Sequence, residues 1–268
     1  MTPATAVMEE AESMSITFDF TGKSVLVTGA SSGIGRGVAT GFSRAGARVT
    51  ILSSTDAIHE AARQMPGQVT AIKCDISDAA MVTEKLGGID RVDVLINNAG
   101  LERPTPLTGD HPGGNETFER IVAINITGTQ NVTDTLVGRI PDGGRIILTA
   151  SIWARTAVPG FSAYVASKHA NLGLMRAWAQ ELGPRGIRVN AVCPGWVMTG
   201  PAMNSLRELA VASGRSEDEV AQEVMSAQAI GGLMEPHDMA DTYMFLASSG
   251  GANITGQAIN VDRGEVMS

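Results

Sequence analysis

The stretch Ser24-Val25-Leu26-Val27-Thr28-Gly29-Ala30-Ser31-Ser32-Gly33-Ile34-Gly35 decides the fold. Ser24 to Thr28 reads as a buried strand, and it runs without a spacer into a glycine-rich turn, after which helical spacing begins. Glycines lack a Cβ, so the chain turns sharply and the backbone N–H groups at the helix start can approach an anion whose charge the helix dipole favours. Gly29, Ser31, Ser32, Gly33, Ile34 and Gly35 are therefore candidate contacts for a pyrophosphate, and a dinucleotide site is implied. The Gly-x3-Gly-x-Gly spacing differs from the general Gly-x-Gly-x2-Gly fingerprint, so the flanking strand and helix carry this reading.

Outward from that turn, apolar runs of strand length recur at Arg48 to Leu52, Val69 to Cys74, Val92 to Asn97, Arg145 to Thr149, Arg188 to Cys193 and Gln257 to Val261. Between them lie helical patterns: Gly35 to Ala45, Asp56 to Gln64, Ala79 to Leu86, Asn115 to Val137, Ala163 to Leu182, Asn204 to Val211, Ser216 to Ala229 and Pro236 to Leu246. Several runs are apolar at nearly every position, as strands covered on both faces are. The pattern predicts an α/β fold: a Rossmann-like, doubly wound parallel sheet of seven strands in one domain over 18–268, preceded by a flexible extension over 1–17. Residues 196–232 break the rhythm with two helical pieces and several methionines, which fits either a lid over a pocket or an ordinary packed insertion.

The 268 residues carry 43% hydrophobic and 18% charged side chains and 31 glycines, a globular composition that excludes disorder and collagen-like repeats. A net charge of −8 offers no basic footprint for nucleic acid or an anionic membrane, so a small molecule is the expected partner. Cys74 and Cys193 are too few and too far apart for a disulfide framework or a zinc site and read as core thiols. With no membrane span and no leader-like N-terminus, the expected location is cytoplasmic. His59, His111, His169 and His237 lack ligand spacing, and no metal is expected.

The end of the second strand should read the adenosine ribose, by an acid for NAD or a base for NADP. Ser53 and Ser54 stand there with neither, which leaves NAD(P) open and tilts the expectation to NADP, since no carboxylate repels a 2′-phosphate. Asp75, followed by Ile76, is placed either to accept from the adenine amino group or to cap the next helix. Asn97-Asn98-Ala99-Gly100 supplies small polar residues where a strand end must approach a ligand closely.

Tyr164 and Lys168 are four apart on a predicted helix and so share a face. A tyrosine titrates near pH ~10, and a neighbouring cation lowers that by favouring the phenolate. Ser151 ends the fifth strand, on the edge where open parallel sheets bind ligands.

On these motifs, with Asn125 and Pro194-Gly195, the chain resembles the classical short-chain dehydrogenase/reductases over Phe18 to Gly264. The resemblance implies NAD(P)-dependent hydride transfer between a secondary alcohol and its ketone. Tyr164 would be the general acid or base, and Ser151 would orient the reacting oxygen. Lys168 would hold the nicotinamide ribose and depress the tyrosine pKa, and Asn125 would hold a relay water. The backbone after Pro194 and Gly195, around Val197 and Thr199, would meet the nicotinamide amide. A homo-oligomer, dimer or tetramer, would pair through Asn115 to Val137 and Ala163 to Leu182. Family chains commonly end in Val-Asp-Gly-Gly where this one reads Val261-Asp262-Arg263-Gly264, placing a charge near the substrate mouth or at a subunit contact.

The substrate pocket is expected from Leu101, Glu102, Arg103, Ser151, Trp153, Arg155, Trp196, Met198 and Met203. Its aromatic and methionine walls favour an apolar body, while its charges suit hydroxyls or an anion. Polyols, hydroxyacyl compounds and aromatic alcohols all stay open. The competing reading is a catalytically silent dinucleotide-binding sensor or structural subunit, which would have no use for a proton donor.

Overall fold

The computed structural model describes residues 16–108 and 114–267. Seven strands form one sheet: β1 (Ser24–Thr28), β2 (Arg48–Ser53), β3 (Gln68–Lys73), β4 (Val94–Asn97), β5 (Arg145–Thr149), β6 (Arg188–Pro194) and β7 (Ala258–Val261). Their order is β3-β2-β1-β4-β5-β6-β7 and every pairing is parallel. The order reverses between β1 and β4, so the crevice for a ligand opens beyond their carboxyl ends. The expected fold class and single domain are what the chain adopts.

The helices are α1 (Gly33–Arg44), α2 (Ala57–Gln64), α3 (Ala79–Leu86), α4 (Gly114–Val122), α5 (Thr129–Leu136), α6 (Ser162–Leu182), α7 (Gly200–Ser213), α8 (Glu217–Ser226) and α9 (Ala240–Ala247). Alternation along β1 shows how both faces are filled: Val25 and Val27 pack with Phe42, Ile51 and Tyr243, while Leu26 packs with Leu95, Ile146 and Met175 on the opposite face. All five residues of β5 are buried, so this central strand can carry Ser151 rigidly at its end.

Several element boundaries differ from expectation. The helix expected over Asn115 to Val137 runs unbroken but carries a π-helical turn, Ala123–Gly128, between α4 and α5. At β4, Val92 and Asp93 stay outside the strand, because the Asp93 carboxylate accepts from the Ser24 N–H at 2.9 Å and pairs with Arg91 at 2.7 Å. Helix α7 starts at Gly200, four residues early, where the Thr199 hydroxyl caps the Ala202 N–H and Pro201 suits the first turn. The segment from Pro236 opens as a 3₁₀ turn, Pro236–Met239, before α9.

The 196–232 excursion is the α7–α8 pair. Trp196, Leu206, Ala210 and Val220 form a small apolar cluster of their own, against which Trp153 packs. Of the expected N-terminal extension over 1–17, residues 1–15 lie outside the described residues, as does His111.

Candidate active site

The β1–α1 turn fits the phosphates of a dinucleotide on its own geometry. Gly29 has φ +67°, and a Cβ there would lie 2.6 Å from the Ala99 Cα. A Cβ on Gly35 would collide with the Gly29 carbonyl oxygen and the Asn98 amide. Ser32, at the N-cap of α1, makes no side-chain capping bond, and no acid lies in the first turn, so the leading N–H groups face the cleft as donors for an anion.

One cleft takes in nearly the whole expected set. Gly29, Ser31, Ser32, Gly33, Ile34, Ser53, Ser54, Asp75, Ile76, Asn98, Ala99 and Gly100 line its nucleotide half. Glu102, Ser151, Trp153, Tyr164, Lys168, Pro194, Gly195, Trp196, Val197 and Thr199 line the other half. At the ribose end the Ser31 hydroxyl donates to the Ser53 hydroxyl at 3.1 Å. Parallel pairing sets Lys73 beside Ser53, and its ammonium is held by Asp56 at 2.7 Å. That cation comes by register from β3, and nothing in the sequence of β2 marks it.

The two readings of Asp75 are now separable. It does not cap α3; Asp78 does, accepting from the Met81 N–H at 3.0 Å. Asp75 accepts from the Ser77 N–H and hydroxyl and, at 2.6 Å, from Arg120 of α4. Burial opposes its ionisation, but these hydrogen bonds hold the carboxyl below its usual range. Arg120, unmarked by any sequence motif, thereby becomes part of the cleft wall.

Asn98 ties three strand ends together. Its amide donates to the Thr28 and Gly29 carbonyls at 3.0 and 3.2 Å and accepts from the Thr149 hydroxyl at 3.1 Å. Asn125 sits fully buried in the π turn. Its amide accepts from the Leu101 N–H at 2.7 Å and donates to the Leu101 carbonyl and the Ser167 hydroxyl. The side chain thus clamps the loop after β4, with both amide donors engaged. Single-turn π insertions commonly serve functional sites in this way.

Ser151, Tyr164 and Lys168 converge at the end of β5. The Ser151 hydroxyl accepts from the Trp153 N–H at 3.2 Å. The Tyr164 hydroxyl interacts with Ser151 and with the Glu102 carboxyl. Lys168, 3% exposed, donates to the Thr149 carbonyl at 2.8 Å, and its Nζ lies 5.4 Å from the Tyr164 ring centre. Trp153 meets Tyr164 edge-on, with ring centres 5.9 Å apart, and Trp196 at 6.2 Å.

The electrostatics correct one expectation. Burial and then the Glu102 carboxylate push the Tyr164 hydroxyl well above the usual tyrosine range, with no depression by Lys168. Burial instead brings the Lys168 amine down to about 8, against the pull of Glu102. The cation spends its short contact on the Thr149 carbonyl and touches the tyrosine ring, while the phenol's nearest charge is negative.

Four expected pocket residues lie elsewhere. Met203 and Met198 do not line the cleft; because α7 begins at Gly200, Pro201 and Ala202 take that place. The Arg155 guanidinium donates to the Ala258 carbonyl of β7, and the exposed Arg103 donates to the neighbouring Glu102 carbonyl at 2.9 Å. Arg263, at φ +57°, donates to the Gly231 carbonyl at 3.0 Å at the end of the 196–232 segment, outside the cleft. Glu102 also accepts a hydrogen bond from Ser205 of α7, a partner that no local pattern marks.

Residues 29–265 match the family model described as enoyl-(acyl carrier protein) reductase. The oxidoreductase UcpA of Salmonella typhimurium is 34% identical over 257 residues, spanning 92% of this chain and 95% of that one. A putative NAD(P)-dependent gluconate 5-dehydrogenase from Beutenbergia cavernae, solved with NADP, superposes with a TM-score of 0.81 at 33% identity, covering 94% of this chain and 100% of that chain. L-Sorbose reductase from Gluconobacter frateurii, solved with NADPH and L-sorbose, gives a TM-score of 0.83 at 26% identity, again over 94% of this chain and 100% of that chain. Since the match runs from the phosphate turn to beyond the last strand, the chain belongs to the classical short-chain dehydrogenase/reductases and is an NAD(P)-dependent oxidoreductase.

Proposed function

We propose that the protein interconverts a ketone and its secondary alcohol, with Tyr164 as the proton-exchanging group. The observation that carries this reading is the meeting of Ser151, Tyr164 and Lys168 in the same cleft as the uncapped start of α1. Bound NAD(P)H supplies the hydride. Ser151 and Tyr164 hydrogen-bond the substrate oxygen as negative charge builds on it, and Tyr164 delivers its proton to that oxygen. Tyr164, raised by burial, stays protonated at neutral pH, the form a proton donor in reduction needs. Lys168 holds the ribose and keeps a positive charge beneath the ring, while Asn125 fixes the loop that closes this end of the cleft. Any relay water is held by the π-turn backbone, the Asn125 side chain being engaged.

The test is NAD(P)H absorbance with a panel of ketones and the native protein. Carbonyl-dependent oxidation of the cofactor is expected. Tight dinucleotide binding without turnover of any carbonyl or alcohol would favour the silent sensor instead.

NADP is the preferred cofactor on this reading. Ser31, Ser53 and Ser54 give hydroxyl donors at the ribose end, and Lys73 stands one strand away. Ser54→Asp should shift the ratio of kcat/KM for NADPH over NADH toward NADH by about 10-fold or more, through like-charge repulsion of the 2′-phosphate. An unchanged ratio would displace the ribose pocket from Ser54. The subunits pair through α4–α5 and α6 into a homo-oligomer, and the protein works in the cytoplasm, where its two buried free thiols stay reduced.

A further inference from the structure

A carboxylate beside a proton donor of this kind invites a functional account. Glu102 leaves β4 on the loop clamped by Asn125 and lines the cleft with its carboxyl against the Tyr164 hydroxyl. Its Oε1 accepts from Ser205 on α7, so the group is held from a helix 103 residues away in sequence. An ionised carboxylate accepts hydrogen bonds and donates none, and its two oxygens hold roughly four lone-pair sites, more than Ser205 and Tyr164 consume. Glu102 lines the same cleft and interacts with the Tyr164 hydroxyl, so a substituent on the carbon next to a carbonyl held at that hydroxyl is within its reach.

The charges around Glu102 decide what that carbon carries. Lys168 of α6 and Arg103, its neighbour on the loop, act on it as positive charges, and Glu208, one turn along α7 from Ser205, acts as a negative one. Burial raises the Glu102 carboxyl above its usual range, although the residue keeps part of its surface open to the cleft. An anionic substituent would meet a carboxylate at close range. A cationic one would meet Lys168 as well. A hydroxyl satisfies the acceptor without adding charge, and Trp153 and Trp196 leave an apolar wall for the rest of the molecule.

Resting on the oxidoreductase reading above, we infer that Glu102 is a specificity-determining residue that accepts a hydrogen bond from a hydroxyl on the carbon next to the reacting one, so that the substrate is an α-hydroxy ketone reduced to a vicinal diol. Hydride goes to the carbonyl carbon, the Tyr164 proton goes to its oxygen, and the neighbouring hydroxyl stays intact on Glu102. The same contact turns away α-keto acids.

Four three-carbon ketones isolate the substituent: hydroxyacetone, acetone, pyruvate and aminoacetone, each with NADPH and with NADH. The native protein should give its highest kcat/KM with hydroxyacetone. In Glu102→Ala the hydroxyacetone-to-acetone ratio should fall by about 10- to 100-fold, the loss expected for a hydrogen bond to a charged group. The pyruvate-to-acetone ratio should rise. Comparing native and variant cancels the intrinsic reactivity of each carbonyl, and a merely structural role for Glu102 would leave both ratios where they were. Glu102→Gln, which keeps the shape, should move the ratios in the same directions and serves if the alanine variant does not fold. Unchanged ratios, native preference for acetone or pyruvate, or a loss greatest for aminoacetone would each overturn the assignment. If the native protein reduces none of the four, nor any other ketone, the oxidoreductase reading fails and takes this inference with it; turnover of ketones without a hydroxyl preference overturns the Glu102 role alone.

Discussion

Tyr164→Phe should lower kcat for ketone reduction by about 10³- to 10⁴-fold while leaving the dissociation constant for NADPH within a few-fold of native. The phenyl ring keeps the edge-on contact with Trp153 at 5.9 Å between ring centres and loses only the hydroxyl between Ser151 and Glu102. Lost with it is the donor that protonates the developing alkoxide, and no other hydroxyl or ammonium takes its place: Ser151 has no acidic proton at neutral pH, and Lys168 is turned to the Thr149 carbonyl at 2.8 Å. Stopped-flow fluorescence for NADPH binding, beside single-turnover rates, separates the two quantities. A near-native rate would remove Tyr164 from the chemistry. An equal loss of cofactor affinity would make it a structural residue.

Lys168→Met should cost about 10²- to 10³-fold in kcat/KM, the range seen when one preorganised electrostatic group is removed from a catalytic site. The charged amine is the working form. With its titration brought down to about 8 by burial, the native protein carries that charge below about pH 8 and loses it as pH rises through that value. Rate should therefore fall on the alkaline side, starting near pH 8, and this limb should vanish in Lys168→Met. Tyr164 cannot produce it, being held well above the ordinary tyrosine range. A native profile flat up to pH 10, or a limb that survives in the variant, would contradict the assignment.

What could be read from the chain depended on how local the cause was. Strands β1 and β5 fall where their apolar runs place them, because burial on both faces leaves a pattern in every residue. The phosphate turn was legible because glycines there follow a strand and open a helix, although the contacts that demand Gly29 and Gly35 come largely from Asn98 and Ala99 at the end of β4. Tyr164 and Lys168 share a helix face by spacing alone. The π turn at Ala123–Gly128 left little trace, since one extra residue hardly disturbs a helical apolar pattern; Gly128, where a Cβ would meet Ile76 at 2.6 Å, was the one local hint.

The rest was set by register and long-range packing. Arg155 follows Trp153 closely, yet it turns to the Ala258 carbonyl because β7 lies against β6. Lys73 is set beside Ser53 by strand pairing, with its ammonium on Asp56, and Arg120 reaches Asp75 across 45 residues. Met203 was misplaced once the Thr199 cap started α7 at Gly200. The Tyr164 pKa was misjudged because helical spacing revealed the cation and concealed the carboxylate: Glu102 arrives from a different element.

The most direct measurement is a crystal structure of the protein with NADP and a bound ketone or alcohol. The account predicts the Tyr164 hydroxyl and the Ser151 hydroxyl both within hydrogen-bond reach, about 2.6–3.2 Å, of the substrate oxygen, with the carbon bearing it against the nicotinamide. A substrate oxygen bound away from Tyr164, or a nicotinamide ring lying outside the cleft between Ser151 and Lys168, would contradict it.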